Sequence, residues 1–146
     1  MKATPATKIS DVKRAWHLID LNEKVLGRIA TDIAKLLMGK AKPYFVRNLD
    51  CGDYVVVVNA KHVFVTGKKE EKKIYARHSG FPGGFRQETL REVRGRKPEE
   101  IIRHAVKGML PQNKLRDAVL RRLFIFSEAT HTYQEKFSSK GRSASG

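Results

Sequence analysis

The clearest pattern along the chain is an unbroken β-branched run at 54–59, YVVVVN. With no polar alternation, it predicts a strand in a sheet covered on both faces. A second strand is predicted at Trp16–Asp20 (WHLID), with Trp16, Leu18 and Asp20 on one face and His17 and Ile19 on the other. Apolar residues on both faces again point to a covered strand. Between the two, Ile29, Ile33 and Leu37 repeat every four residues with Ala30 and Ala34 alongside, while Arg28, Asp32 and Lys35 take other faces. That spacing predicts a helix over 27–38, stopped by Gly39.

Beyond the valine run, 62–66 and 73–77 read as extended segments flanking Gly67 and a lysine cluster. The stretch HSGFPGGF at 78–85 holds three glycines and a proline in eight residues and predicts a loop. A short amphipathic helix follows at 88–93. A longer one at 98–110 has Pro98 in its first turn, Glu99 and Glu100 at the positive end of the dipole, and a stripe of Ile101, Ile102, Ala105, Val106 and Met109. Pro111 ends it. Asn113 can cap the next helix, with stripe Leu115, Ala118, Val119 and Leu123, and 124–126 suits a last short strand. From Thr130 the chain is polar and is expected to be poorly ordered.

Strand, helix, strand with long connections calls for parallel pairing and a right-handed crossover. The expected fold is α/β: a three-layer α/β/α single domain with a short, mostly parallel central sheet. It would comprise a basic N-terminal arm at 1–14 (Lys2, Pro5, Lys8, Lys13, Arg14), a domain at 15–127 and a polar tail at 128–146. No internal repeat is apparent.

Charge changes the picture most. Thirty Lys and Arg stand against fifteen Asp and Glu in 146 residues, for a net charge of +15. The excess is spread through all thirds of the chain rather than confined to a tail, so it belongs to the surface of a folded domain. Such a surface repels itself unless a polyanionic partner supplies counter-charge. The cluster Lys68, Lys69, Lys72 and Lys73, broken by Glu70 and Glu71, reads in isolation as a solvated loop. A single cysteine, Cys51, excludes an intramolecular disulfide framework and a Cys-rich zinc site. No apolar run approaches the roughly 20 residues that span a bilayer, and residues 1–10 lack the apolar region of a secretory signal. A soluble intracellular protein is expected.

Enzymatic chemistry finds little support. The turn after the first strand, LNEKVLGR, is neither GxGxxG nor a phosphate loop. Cys51 lies among Asp50 and Asp53, which would raise rather than lower a thiol pKa, and the five histidines lack metal-ligand spacing. Asp50 and Asp53 more simply shape a turn around Gly52. No catalytic residue, metal or cofactor is assigned. In the 78–85 loop, Gly80, Gly83 and Gly84 permit close backbone approach to phosphate, with His78, Ser79 and Arg86 as side-chain donors; a tight structural turn is the alternative. Met109, Leu110 and Pro111 read as core residues and a helix stop, and the neighbouring Lys107, Lys114, Arg116, Arg121 and Arg122 make this helical hairpin a second candidate surface.

Seven pieces in order resemble the ribosomal large-subunit protein thirteen family, in its bacterial or organellar form. They are Trp16 in the first strand, LGRIA at 26–30, LLMGKAK at 36–42, DCGDYVVVVNA at 50–60, VTGKK at 65–69, HSGFPGG at 78–84 and VKGMLPQNKL at 106–115. Together they span about 15–126. The resemblance implies a three-layer α/β domain with a parallel sheet, bound to large-subunit ribosomal RNA beside neighbouring ribosomal proteins, without catalysis and without a membrane partner. It also implies a monomer within a cytoplasmic ribosome, in preference to an organellar one, and action early in subunit assembly. Some members bind their own messenger RNA. The sequence departs from the family pattern at Arg116 and Asp117, and in SEATHTYQ at 127–134. Expected RNA-binding residues are Lys40, Lys42, Arg47, Lys68, Lys69, His78, Ser79, Gly80, Gly83, Gly84, Arg86, Lys107, Lys114 and Arg121. A free-standing RNA regulator remains the alternative.

Overall fold

The computed structural model describes residues 3–138; Lys2 of the arm and residues 139–146 of the tail lie outside the described residues. In chain order the elements are β1 (Trp16–Asp20), α1 (Leu26–Met38), β2 (Tyr54–Val58), α2 (Lys69–Lys72), β3 (Ile74–His78), β4 (Phe85–Thr89), α3 (Leu90–Arg96), α4 (Pro98–Met109), α5 (Leu115–Leu120), β5 (Leu123–Ile125) and α6 (Gln134–Ser138). β1, β2 and β5 form a parallel sheet in the order β1-β2-β5, with Trp16 opposite Tyr54 and Val56 opposite Phe124. The chain is a single α/β domain, as the strand–helix–strand order requires.

The register sorts the sheet into two faces. Val55, Val57 and Leu123 are buried on one face, with Ile19 and Ile125 beside them, and they pack against Ala30, Ile33, Ala34 and Leu37 of α1 and Ile102 and Val106 of α4. Each fully buried Val, Leu or Ile contributes about 1.5–3 kcal/mol, so this face holds most of the apolar stabilisation. Four members of the expected stripes fall outside it: Ile101, which buries in a second small core, half-buried Leu115, Met109 and Ala118. Met109 is 42% exposed and Ala118 is also exposed, because α4 ends and α5 is too short to carry the periodic face past its neighbours.

The opposite face is aromatic. The Trp16 ring stacks on Tyr54 at 4.4 Å and on Phe124 at 5.9 Å between centroids. Tyr133 lies 4.4 Å from Phe124 and 5.3 Å from Trp16, and Phe137 of α6 meets Trp16 edge-on at 6.4 Å. The segment 130–138 is therefore not the unpacked tail expected; its two rings supply the cover that the second sheet face needs. The third layer is reduced to this strap, which ends in the short helix α6. Leu18 escapes the cover and stays 48% exposed, so β1 is a half-covered edge strand rather than a fully covered one.

Between β2 and β5 the chain departs from expectation in a second place. Residues 85–89 form a strand, against an expected loop end at 85 and helix start at 88. His78 belongs to β3 rather than to the loop, and β3 and β4 pair antiparallel as a hairpin closed by 79–84. The helix start moves to Leu90 because Thr89 and Glu92 make a capping box: the Glu92 N–H donates to Thr89 Oγ1 (3.4 Å) and the Thr89 N–H to Glu92 Oε2 (2.8 Å). Leu90 and Val93 then bury with Ile101 and Tyr75 in a small second core. The lysine cluster is no loop either. It forms α2, tied down where Arg94 donates from Nε and Nη2 to both Glu70 oxygens at 2.8 and 3.0 Å.

If the strap covers the sheet, Tyr133→Ala should cost about 1–3 kcal/mol of stability, less than a fully buried aromatic because Tyr133 is half-buried. Trp16, the only tryptophan, should shift its fluorescence to the red in the same variant. Unchanged emission and melting would mean that the strap does not pack.

Candidate nucleic-acid interface

The basic residues fall into two populations. The first is paired with acids within the fold, as Arg94 is with Glu70 and Arg96 with Glu88, and most densely around the turn Asp50–Asp53. Arg122 is buried; its Nη1 donates to the Asp53 carbonyl (2.7 Å), its Nη2 to the Leu37 carbonyl (3.1 Å), and it pairs with the Asp50 carboxylate. Burial pushes the Arg122 pKa down and Asp50 opposes that shift. Asp53 accepts from the Ala15 N–H (3.0 Å), from Lys42 Nζ (2.6 Å) and at 2.8 Å from His17 Nε2. Arg14 reaches the Gly52 and Asp50 carbonyls at 2.7 and 3.1 Å. Gly52 is obligatory, since a Cβ there would collide with the Leu37 carbonyl and the Arg122 guanidinium. Lys42, expected on the RNA surface, is thus engaged with Asp53 and the Lys13 carbonyl (2.5 Å), and Arg122 belongs to the interior rather than to the helical-hairpin surface. Cys51 is buried within the same turn.

The second population has no acidic partner among the described residues. On the hairpin, Arg77 stands directly opposite Arg86. Like charges across an antiparallel pair are destabilising, so this placement favours a counter-anion. The loop beyond is shaped by its own atoms. Gly80 and Gly83 have φ of +87° and +72°, and a Cβ on Gly84 would press on Ser79 and on the Phe81 carbonyl. The Gly80 N–H donates to His78 Nδ1 (2.9 Å) and the Ser79 N–H to the Gly84 carbonyl (3.2 Å). Internal geometry therefore accounts for all three glycines. What the loop presents outward is Phe81, 74% exposed, with Arg86 on the adjoining strand.

Alongside the hairpin runs a groove of ≈ 560 Å³ against α4, lined by Lys73, Arg77, Arg103, His104, Lys107 and Arg116. Its acids are already occupied: Arg96 lies 2.7 Å from Glu88 and 3.6 Å from Glu100. Burial, then Lys73 and Lys107, lower the His104 pKa below 6.5, so the ring stays neutral at physiological pH. Lys69 and Arg28 join Lys73 and His104 in an adjacent groove of ≈ 630 Å³. Lys40 and Arg47 line a third, of ≈ 430 Å³, with Met109, Pro111 and Arg116. Arg116 thus borders two grooves. Lys68, Lys114 and Arg121 are exposed but line none of these three grooves. Sequence reasoning missed Arg28, Lys73, Arg77, Arg103 and His104. Arg103 and Lys107 share a helix face at i and i+4, a readable signal; Arg77 becomes visible only once the hairpin register is known. Among the described residues, no group of three or more His, Cys, Asp or Glu is placed to hold a metal ion.

This arrangement defines a class: a small basic α/β domain that spends some of its cations on its own core and displays the rest, unpaired, in grooves beside one helix. Comparison with known proteins then fixes the family. The profile of Ribosomal protein L13 matches residues 14–132, and the chain belongs to that family. It is 55% identical over 130 residues to large ribosomal subunit protein uL13 of Dehalococcoides mccartyi (strain BAV1), covering 89% of this chain and 91% of the relative. It is 49% identical over 126 residues to that of Clostridioides difficile, covering 86% and 88%, and 47% over 134 residues to that of Dictyoglomus thermophilum, covering 92% and 94%. The match continues through Arg116 and Asp117 and most of the divergent SEATHTYQ stretch.

Burial alone would raise the Asp53 pKa, but the bonds from Lys42, the Ala15 N–H and His17 outweigh it and hold the carboxyl below its ordinary 3.8. A carboxyl depressed by folding stabilises above its unfolded pKa, and that contribution is lost as pH falls through the folded value. Asp53→Asn should therefore cost about 3 kcal/mol at neutral pH by stranding Lys42, and the loss relative to wild type should shrink below pH 4. Parallel pH–stability curves for the two proteins would refute this.

Proposed function

We propose that this chain is a structural constituent of the large ribosomal subunit and that it works by binding and holding folded large-subunit ribosomal RNA. The observation that carries the reading is the unpaired cation set, above all the Arg77–Arg86 pair set opposite each other on an exposed hairpin. A fold that neutralises Arg14, Lys42, Arg94 and Arg122 internally yet leaves two arginines face to face is organised for an external anion. The relatives' names supply which anion-bearing particle this is. Lys40, Arg47, Lys68, Lys69, Arg86, Lys107, Lys114 and Arg121 would neutralise phosphates, joined by Arg77 and Arg103. The loop of His78, Ser79, Gly80, Gly83 and Gly84 would present Phe81 and a fixed backbone to the RNA. Lys42 contributes through the fold alone.

Most of the affinity in this reading comes from counterion release, and selectivity comes from RNA shape, which a rigid pattern of cations reads through the phosphates. Because the contacts are to RNA itself, the protein can join the particle early, before neighbouring proteins arrive. No catalytic step is part of the reading.

Arg86→Gln tests it. Without RNA the variant should melt at or slightly above the wild-type temperature, because a like-charge pair is relieved. Its affinity for large-subunit ribosomal RNA should fall about tenfold, with the slope of log K against log salt reduced by about 0.7–0.9. An unchanged slope would remove the hairpin from the interface. Quantitative co-sedimentation should find the chain near stoichiometric with large subunits; substoichiometric recovery would favour the free-standing regulator.

A further inference from the structure

We propose that the groove between the 40–49 segment and the α4–α5 junction binds a single unstacked nucleotide of the RNA. Its base would lie against Phe45, Met109 and Pro111, and its phosphate toward Lys40 and Arg47. This rests on the ribosomal RNA reading above and adds to it a site for one nucleotide.

Three features of the groove select that occupant. Its size, ≈ 430 Å³, lies at the small end of pockets that enclose a compact ligand, far too small for a helix. Its walls suit a flat ring. Met109 is exposed although it lies on the expected buried stripe of α4, and its Sδ lies 3.5 Å from the Thr31 hydroxyl of α1, which also donates to the Gly27 carbonyl at 3.1 Å. Thioether and aromatic walls bind π faces, and single-stranded RNA is read where unstacked bases meet such walls.

The third feature is an unmet donor. Arg116 Nε is buried and has no hydrogen-bond partner in the protein. Buried polar atoms are nearly always partnered, so an orphaned donor beside a groove calls for an acceptor from outside. A base edge offers carbonyl oxygens and ring nitrogens. The remaining polar lining completes the match: Lys40 and Arg47 have no acidic partner among the described residues, while Asp50, the one carboxylate in the lining, is already engaged by Arg122 and Arg14. Cationic mouth, apolar walls and a buried donor are the complement of phosphate, base face and base edge.

The test uses the full chain with deproteinised large-subunit ribosomal RNA as probe. Met109→Ala removes a wall at an exposed position, and Arg116→Lys keeps the charge while deleting the buried Nε. Each should weaken binding about tenfold, as expected for loss of one stacked base, with melting temperature and salt slope both as in wild type. A purely electrostatic role for Arg116 would survive the lysine. Independently, ultraviolet cross-linking of the wild-type complex followed by digestion should leave a mononucleotide adduct on the peptide carrying Phe45 or on that carrying Met109. Wild-type affinity in both variants, together with adducts only on other peptides, overturns the nucleotide site and leaves the RNA reading standing. Failure of the wild-type chain to bind the RNA at all would instead overturn the reading on which the site rests.

Discussion

Arg122 enters the interior from the end of α5 with its guanidinium bonded to two backbone carbonyls and to Asp50. Removing a charge from water costs several kcal/mol unless it is paired and hydrogen-bonded. With Nε left unpartnered, the bonds from Nη1 and Nη2 carry that compensation, so the surrounding chain has little freedom. Gly52 must lack a side chain, or the Leu37 carbonyl could not approach. Gly39 must take a left-handed turn, φ +76°, to bring the segment after α1 back to the residues that precede β1 and β2, and its own Cβ position is closed by the Cys51 backbone. With those two glycines fixed, Asp53 sits where Lys42, His17 and the Ala15 N–H converge. The first crossover, the last strand and the N-terminal arm are thereby joined at one buried point. The placement of Lys40 and Arg47 follows from the same fixation, because both belong to the segment it holds.

That centre also explains how a chain of net charge +15 folds without its counter-charge. Each carboxylate of the turn holds more than one basic side chain: Asp50 takes Arg14 and Arg122, and Asp53 takes Lys42 and bonds the His17 ring. Glu70 holds Arg94 in a bidentate pair, and Arg94 also bonds the Lys61 and Val63 carbonyls at 2.9 and 2.8 Å. Asp50, Asp53 and Glu70 are partly or fully buried, where pairing is most effective, and the exposed cations are left to repel one another across high-dielectric water, where repulsion is weak. A polyanion then gains most from the residues that the fold itself leaves unpaired.

Much of the fold was legible because periodicity survives translation into structure. The valine run, the four-residue repeat of Ile29, Ile33 and Leu37, and the Ile101, Ile102 and Val106 stripe all lie where their patterns put them. Three things were not legible. Tyr133 and Phe137 are isolated aromatics in a polar stretch, and only the aromatic sheet face of Trp16, Tyr54 and Phe124 gives them a purpose. The hairpin was obscured because its glycine-rich loop splits two strands too polar to show alternation, although the Thr89–Glu92 box was readable from the residues. For the site, sequence shows charge but not pairing: nothing local distinguishes Lys42, bound to Asp53, from Lys40 two residues earlier. Lys107 and Arg47 did fall in grooves, since exposure could be inferred from helix face and loop position.

The hairpin shows how the anchored and displayed parts of the molecule are joined. A two-stranded ribbon is at best marginally stable alone, and a ribbon with opposed arginines is less so. Here its base is fixed from both strands: Tyr75 inserts beside Leu90, Val93 and Ile101, and Glu88 is held by Arg96. The tip has its own internal bonds from His78 and Ser79 and needs no support from the core. Anchored base and self-ordered tip mean that little conformational entropy is left to lose when a partner arrives, which is where an exposed element otherwise forfeits affinity. Repulsion between Arg77 and Arg86 is tolerated because the core holds the strands together at the other end, and an arriving phosphate converts that repulsion into attraction for itself.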